Sequence, residues 1–395
     1  MERKEEIENL IKQIDLTPAM YDNAVNKYKA LGDFLQSSNS NIDFYPQGSF
    51  VLGTTVRPYR KMEEREYDLD AICLNNVSAD NAIPKNIYSN LKNILSSSKV
   101  YSNNLSYYSR CITINYADYG NIGFNIDVVP SAKARKISID NMIKGECPYQ
   151  YIETAIEVAE IEDERNRWIS SNPKAYARWF KEINEPFIRN IESISRQSLF
   201  ESNRNIYNSI EEVPEYFVKS SLQKAIQLLK RARDVYFSQI NKEDKKPISA
   251  IISTFVLDIA KNIPQDSDVI MVTQFFINQL KEYSNYLNES FNPKDLYYMD
   301  KVVITRKNSR WEMKNPVNPN DNLVDSWNED SEKATLFFKW VNSLEKTLNS
   351  IFDESNIHYK REFSNLFGNK LVERNYNVPV IKNIGDGPRP WKANY

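Results

Sequence analysis

With 395 residues and 46.2 kDa, the chain is about two or three times the usual single-domain length, which excludes a small stapled module and predicts two lobes. A composition 41% hydrophobic and 26% charged is that of a soluble globular protein, and no stretch approaches the roughly 20 apolar residues that span a bilayer. Fifty-one basic against fifty-three acidic residues give a net charge of -2, so the chain lacks the overall positive field of a sequence-blind nucleic-acid binder.

The opening Met1-Glu2-Arg3-Lys4-Glu5-Glu6 puts charge where a signal peptide needs an apolar core, and a cytoplasmic protein is expected. Ile7, Leu10, Ile11 and Ile14, then Val25, Tyr28, Leu31 and Leu35, recur at helical steps. Thr17-Pro18 restarts the helix, Thr as N-cap and Pro at the first helical position. Ser37 to Asn41 reads as a polar loop. From Asp43 to Pro130 short runs rich in Ile, Val, Tyr and Phe predict strands, interrupted by one helix near Ala82 to Leu95.

Beyond Tyr149 helical signals take over, with Asn172-Pro173 as another cap and first-turn pair. Val218, Leu222, Ala225, Leu229, Ala232 and Tyr236 form one apolar stripe. Ser249 to Ala260 and Ser331 to Phe352 are further helices, the last with Ala334, Phe337, Phe338, Val341, Leu344, Leu348 and Ile351 inward. The tail from Val378 to Tyr395 reads as an irregular strap. The expected fold is α+β: a core with N-terminal helices over 1–170 and a helical lobe over 171–395.

Histidine chemistry is nearly absent, because the only histidine is His358, in the helical C-terminal third. Cys73, Cys111 and Cys147 lie far apart without the paired spacing of a disulfide framework or a four-ligand zinc site. Chemistry must then rest on carboxylates, hydroxyls, amines and a bound cation. Tyr67-Asp68-Leu69-Asp70-Ala71-Ile72 reads as a strand in which Asp68 and Asp70 share one face and Leu69 and Ala71 the other. Two like charges so placed repel unless a cation or a proton relieves them. Hard oxygen ligands of this kind suit Mg²⁺ or Mn²⁺, although an isolated Asp-x-Asp also fits a solvated strand face.

The neighbouring segments add weight to the metal reading. Upstream, Gly48-Ser49 opens a short helix and offers backbone N–H groups and a hydroxyl to phosphate oxygens. Downstream, Asp127 interrupts the apolar strand Ile122 to Pro130 and needs a partner there. A triphosphate cradle followed by strand-borne Asp68, Asp70 and Asp127 is the apparatus of two-metal nucleotidyl transfer.

On these residues the chain resembles the cGAS/DncV-like nucleotidyltransferases (CD-NTases), whose motifs Gly48-Ser49, Tyr67-Asp68-Leu69-Asp70 and Ile126-Asp127-Val128-Val129-Pro130 follow one another in the family's order. Leu228 to Asp234, Lys246 to Phe255 and Asn315 to Leu323 extend the resemblance, which runs from about Tyr45 to Trp327. It implies a polymerase-β-like nucleotidyltransferase core with a C-terminal helical lobe and the active site in the cleft between them. Asp68, Asp70 and Asp127 would bind two Mg²⁺ or Mn²⁺ ions, Gln47, Gly48 and Ser49 would form the triphosphate loop, and Lys230 and Ser249 would reach the phosphates from the helical lobe. Read without the family, Lys230 fits an i+4 pair with Asp234 and Ser249 fits an N-cap.

The implied activity joins NTPs, ATP among them, into a cyclic di- or trinucleotide read by a separate effector in anti-phage (CBASS) defence. It needs no membrane, and there is room for a regulatory protein partner. Competing readings are a template-independent polymerase making linear oligonucleotides or extending RNA 3′ ends, and an inactive nucleotide-binding regulator. Several features depart from the family. Eighteen residues, Phe50 to Tyr67, separate Ser49 from Asp68 and include the charged run Arg57 to Arg65, a solvated hairpin or a rim of the site. The zinc insertion of the animal DNA sensor is missing, so no DNA requirement is expected. Ala250 stands where some relatives place an aromatic ring, and the closing Lys392 to Tyr395 speaks against regulation by C-terminal conjugation.

Overall fold

A computed structural model describes residues 2–116, 123–162, 165–195, 218–287 and 303–376; the strap expected over 378–395 lies outside them. Helices α1 (Glu2–Ile14) and α2 (Pro18–Ser38) come first. Thr17 caps α2, its hydroxyl accepting from Met20 N, as the Thr-Pro pair predicts. Next come β1 (Ile42–Gln47), the one-turn α3 (Gly48–Val51), the short β2 (Tyr59–Arg60) and β3 (Glu63–Glu64), and the long β4 (Tyr67–Ser78). α4 (Pro84–Ser97), β5 (Leu105–Tyr107), β6 (Ile112–Asn115) and β7 (Phe124–Lys133) follow. α5 (Lys136–Lys144), α6 (Tyr149–Ile152), β8 (Ile156–Glu162) and β9 (Arg165–Ser171) complete the sheet region.

Seven strands form one sheet in the order β1-β4-β7-β6-β5, with β8 on β7 and β9 on β8. The central β4–β7 pair is parallel, and the other pairings are antiparallel. One face packs on α2 and α4: Leu69, Ala71 and Cys73 of β4 share a core with Leu31, Leu35, Leu91 and Leu95. On the other face Tyr45, Ile72, Val129, Ile156 and Val158 form a smaller cluster. This alternation is what period-two patterning of β4 demands.

Helices dominate after Ser171: α7 (Pro173–Ser195), α8 (Ser221–Gln239), α9 (Ser249–Ala260) and α10 (Val269–Tyr283). The small hairpins β10 (Thr305–Lys307) with β11 (Arg310–Glu312) and β12 (Lys314–Asn315) with β13 (Asn318–Asn322) intervene. α11 (Ser326–Glu329), α12 (Ser331–Phe352), α13 (Phe363–Phe367) and α14 (Asn369–Tyr376) close the described chain. The largest core joins α8, α9, α10 and α12, and all seven inward positions expected on α12 are in it. α1, grouped by sequence with the first lobe, sends Ile7, Leu10, Ile11 and Ile14 into this second core.

α8 departs from its expected single stripe. Val218 precedes the helix, which starts after the N-cap Ser220, and burial runs around the whole circumference. Gln223, Gln227, Lys230, Arg231, Arg233 and Asp234 are as buried as the leucines. Buried polar groups need partners: Arg233 and Asp234 find them within the helical lobe, and the other four reach the segment after α3, Lys230 through Thr54 O. Gln223 Nε2 donates to Leu52 O at 2.9 Å, Gln227 Nε2 to Thr55 O at 2.6 Å and Arg231 Nη1 to Arg57 O at 2.9 Å. α8 is therefore the seam on which the segment after α3 is laid.

Candidate active site

Asp68 and Asp70 lie on the β4 face opposite Leu69 and Ala71, and Asp70 stands directly across the parallel pair from Asp127. Three carboxylates thus share one half-buried patch at the strand ends. Each is perturbed upward by burial first. Asp127 adds to the rise at Asp68, which Arg60, a hydrogen bond from Asn125 and Lys246 oppose. Asp70 is pushed up to about 7 by burial, Asp127 and Asp68, against the pull of Lys230. At Asp127 a hydrogen bond from Thr113 and the charge of Arg60 work against burial.

The partner that Asp127 requires is therefore first a hydroxyl. Thr113, its register neighbour on β6, donates from Oγ1 to Asp127 Oδ1 at 2.5 Å. Asn125 Nδ2 lies 3.5 Å from Asp68 Oδ1. Asp70 has no such donor among the described residues and is instead crowded by backbone. Gln47 pairs with it across β1–β4, and Gly48, at φ +65°, would place a Cβ 2.5 Å from Asp70 Oδ2. Only glycine combines that left-handed backbone with that approach.

The sequence-derived loop is brought to the carboxylates as a unit. Gln47 occupies the N-cap position of α3 without a side-chain capping bond, and Thr55 Oγ1 lies 3.4 Å from Ser49 Oγ. Lys230 arrives from α8. Its Nζ donates to Thr54 O at 2.8 Å, and burial, then Arg233, lowers it to about 7 against Asp234 and Asp70. The i+4 pair with Asp234 does not form, because Asp234 is taken by Arg233 at 2.8 Å and Lys246 at 3.1 Å.

Ser249 is not an N-cap either. Ile248 holds that position, and Ser249 Oγ accepts from Arg233 Nη1 at 3.1 Å. Sequence reading missed Thr113 and gave no individual role to Arg60, Arg233 and Lys246, although each lies in a segment it singled out. Thr113 carried a weak signal, a hydroxyl alternating with Ile112 and Ile114, but its register opposite Asp127 is a long-range fact. The charged run Arg57 to Arg65 is a hairpin but not a solvated one, because Glu243, Ser238 and Arg231 hold it; the charge of Arg60 acts on Asp68 and Asp127.

Among the described residues no group of three acidic, His or Cys side chains closes into a ready-made metal cage. The donor set still fits a hard divalent cation. Three carboxylates repel on one face, and Asp70, the most perturbed, has no donor among the described residues; a cation of this class relieves both conditions. Of the residues expected around phosphate, Lys230 acts by its charge on Asp70, Ser49 lies beside Thr55 and Ser249 beside Arg233.

This arrangement, acids on a central parallel pair facing a helical lobe, is that of a polymerase-β-like nucleotidyltransferase. Residues 1–146 match the Second Messenger Oligonucleotide or Dinucleotide Synthetase domain. A c-di-GMP synthase of Roseivirga ehrenbergii is 29% identical over 304 residues, which make up 77% of this chain and 66% of that enzyme. The chain thus spans just under two thirds of the length of that curated relative. Its fold is shared with the Bradyrhizobium diazoefficiens CD-NTase CdnG solved in complex with GTP, at a TM-score of 0.65 and 19% identity over 93% of this chain and 95% of that one. Escherichia coli MS115-1 CdnC with ATP gives 0.58 and 11% identity over 93% and 98%. Residues 1–146 are thus similar to that synthetase domain, and the chain shares the fold of these two CD-NTase structures.

Proposed function

We propose that the protein is a metal-dependent nucleotidyltransferase that joins NTPs into a cyclic di- or trinucleotide with release of pyrophosphate. The observation that carries this reading is the shared face of Asp68, Asp70 and Asp127 with the Gly48 backbone closed against Asp70. The similarity to a c-di-GMP synthase supports GTP beside ATP as a substrate. A cyclic product of this kind acts as a second messenger read by a separate effector, here in anti-phage (CBASS) signalling.

Asp68, Asp70 and Asp127 would hold two Mg²⁺ or Mn²⁺ ions. Such ions, when bound, make the attacking hydroxyl acidic and neutralise the departing pyrophosphate. Thr113 and Asn125 orient two of the three carboxylates, and the raised affinity of Asp70 for a proton keeps the acid-lined patch tolerable before a cation arrives. Gln47, Gly48 and Ser49 seat the triphosphate, while Lys230 and Ser249 present charge and hydroxyl from the helical lobe.

The decisive experiment incubates the protein with four separately labelled NTPs and Mg²⁺ or Mn²⁺, then identifies products by mass and phosphatase resistance. Phosphatase-resistant material lacking a terminal phosphate is expected. A ladder of linear products would replace the cyclase by a template-independent polymerase, and no pyrophosphate at all would leave an inactive nucleotide binder.

A further inference from the structure

The face of the sheet that carries the acids continues past them onto β8 and β9. Asp127, Val129 and Ser131 alternate onto one face of β7, and Ser131 stands opposite Val158 of β8. Period-two alternation then puts Val158 and Glu160, with their register partners Ile169 and Arg167 of β9, on that same face. Packing agrees, because Val129, Ile156 and Val158 form one cluster against which Cys111 and Ile169 lie. Continued antiparallel register sets Glu160 level with Val129, two residues along β7 from Asp127, so the Glu160 and Asp127 backbones are roughly 8 Å apart.

Glu160 is a buried acid clasped by two arginines. Its side chain is 1% exposed, whereas those of Arg110 and Arg167 are 55% and 57% exposed. Arg110 Nε donates to Glu160 Oε1 at 2.5 Å, and Arg167 Nε donates to Oε2. A backbone bond from Ile161 N–H to Ser109 O at 2.8 Å fixes the segment carrying Arg110 beside β8. One cation is enough to partner a buried carboxylate. The second brings like charges together and leaves the cluster with an excess positive charge. Each guanidinium uses only Nε on Glu160, and their terminal Nη groups make no hydrogen bond with any described residue. Two exposed forks held side by side by one buried acid are preorganised for the oxygens of a phosphate group.

Sheet order separates this cluster from the triphosphate loop. Gln47, Gly48 and Ser49 lie at the end of β1, on one side of the β4–β7 pair, and the arginine pair lies on the other, where β8 and β9 extend the sheet. Joining two nucleotides requires an acceptor whose own phosphates sit away from those of the donor. We propose that Arg110 and Arg167, positioned by Glu160, bind a phosphate group of the acceptor nucleotide. This rests on the nucleotidyltransferase reading above. Donor binding through the loop and Lys230 does not involve the pair, so the two nucleotides respond differently to its loss.

The test uses the full chain as wild type, Arg110→Ala, Arg167→Ala, Arg167→Lys and the control Arg165→Ala, which removes an exposed charge from the same strand. It measures ligand-free Tm, calorimetric binding of non-hydrolysable GTP and ATP analogues, singly and together, with saturating Mn²⁺, and initial rates of pyrophosphate release across NTP concentration. Wild type should bind two analogue molecules per chain. Each alanine variant should weaken one of the two binding events by at least about tenfold, keep the other within about twofold and raise KM, with Tm retained because the remaining arginine still pairs with Glu160. Arg167→Lys should fall between, and Arg165→Ala should match wild type. A wild type that binds a single analogue, or alanine variants that keep both events within about twofold, would overturn the assignment and, where pyrophosphate is released, leave the reading of the reaction standing. Loss of both events together with a fall in Tm would mark a purely structural cluster and overturn it likewise. Two analogues bound by a wild type that releases no pyrophosphate would sink the reaction reading and the acceptor role with it.

Discussion

Asp70 and Thr113 show how single side chains set the chemistry of the patch. Asp70, raised to about 7 by burial and its two acidic neighbours, holds a proton in the folded state that it has lost in the unfolded chain between about pH 4 and 7. The folded state binds more protons there, so this contribution to stability is full below about pH 4 and is lost as pH rises through about 7. Asp70→Asn removes that slope. Its metal-free Tm at pH 7.5 should equal or exceed that of wild type, while pyrophosphate release falls at least about a hundredfold; normal turnover would dismiss Asp70 as a ligand. Thr113 acts one step back, since its hydroxyl fixes one oxygen of Asp127. Thr113→Val should weaken Mn²⁺ binding by about tenfold or more, and Thr113→Ser should restore it, because outer partners of metal-binding groups carry effects of that size. Equal affinities for the Val and Ser variants would show that the hydroxyl does not tune the site.

At the scale of elements, the turn from β1 into α3 is where backbone conformation and chemistry meet. Gly48→Ala combines a strained φ with a Cβ 2.5 Å from Asp70 Oδ2, so activity should fall with Tm, and the double variant Gly48→Ala/Asp70→Ala should recover part of the lost Tm without recovering activity. A double variant no more stable than Gly48→Ala alone would assign the whole cost to backbone strain. Much of this was legible in the residues. Asp68 and Asp70 alternate with Leu69 and Ala71, and strand geometry alone puts the acids on one face; Thr17-Pro18 and the spacing of α12 are equally local. What the residues do not show is register and docking. Nothing in Ile112 to Asn115 says that Thr113 faces Asp127, and nothing in Arg57 to Arg65 distinguishes a solvated hairpin from one held by Glu243 and Ser238, which follow it by more than 170 positions. Likewise the apolar positions of α8 suggest one buried stripe, whereas polar positions such as Gln223, Gln227 and Lys230 are buried as well because they bond carbonyls of the segment after α3.

Across the whole molecule, α8 couples the lobes through those bonds, and Lys230 is the member whose charge can respond to substrate. Its Nζ is held by Thr54 O at 2.8 Å, and burial, with Arg233 beside it, lowers it to about 7, so near neutral pH a substantial fraction is uncharged. A triphosphate beside Lys230 favours the charged form. Nucleotide binding should therefore take up as much as about one proton near pH 7.5, visible as a dependence of binding enthalpy on the ionisation enthalpy of the buffer, with metal kept saturating so that Asp70 has already released its own proton. Lys230→Met, which keeps most of the buried volume, should abolish the uptake and raise KM. Gln227→Leu provides the comparison: it breaks a neighbouring bond across the seam, to Thr55 O at 2.6 Å, and leaves that carbonyl unpaired at a cost of about 1–3 kcal/mol, yet should retain proton uptake because no titrating group is removed. If uptake survives in Lys230→Met, Lys230 does not face the phosphates, and its buried charge serves only to hold the loop after α3 against the helical lobe.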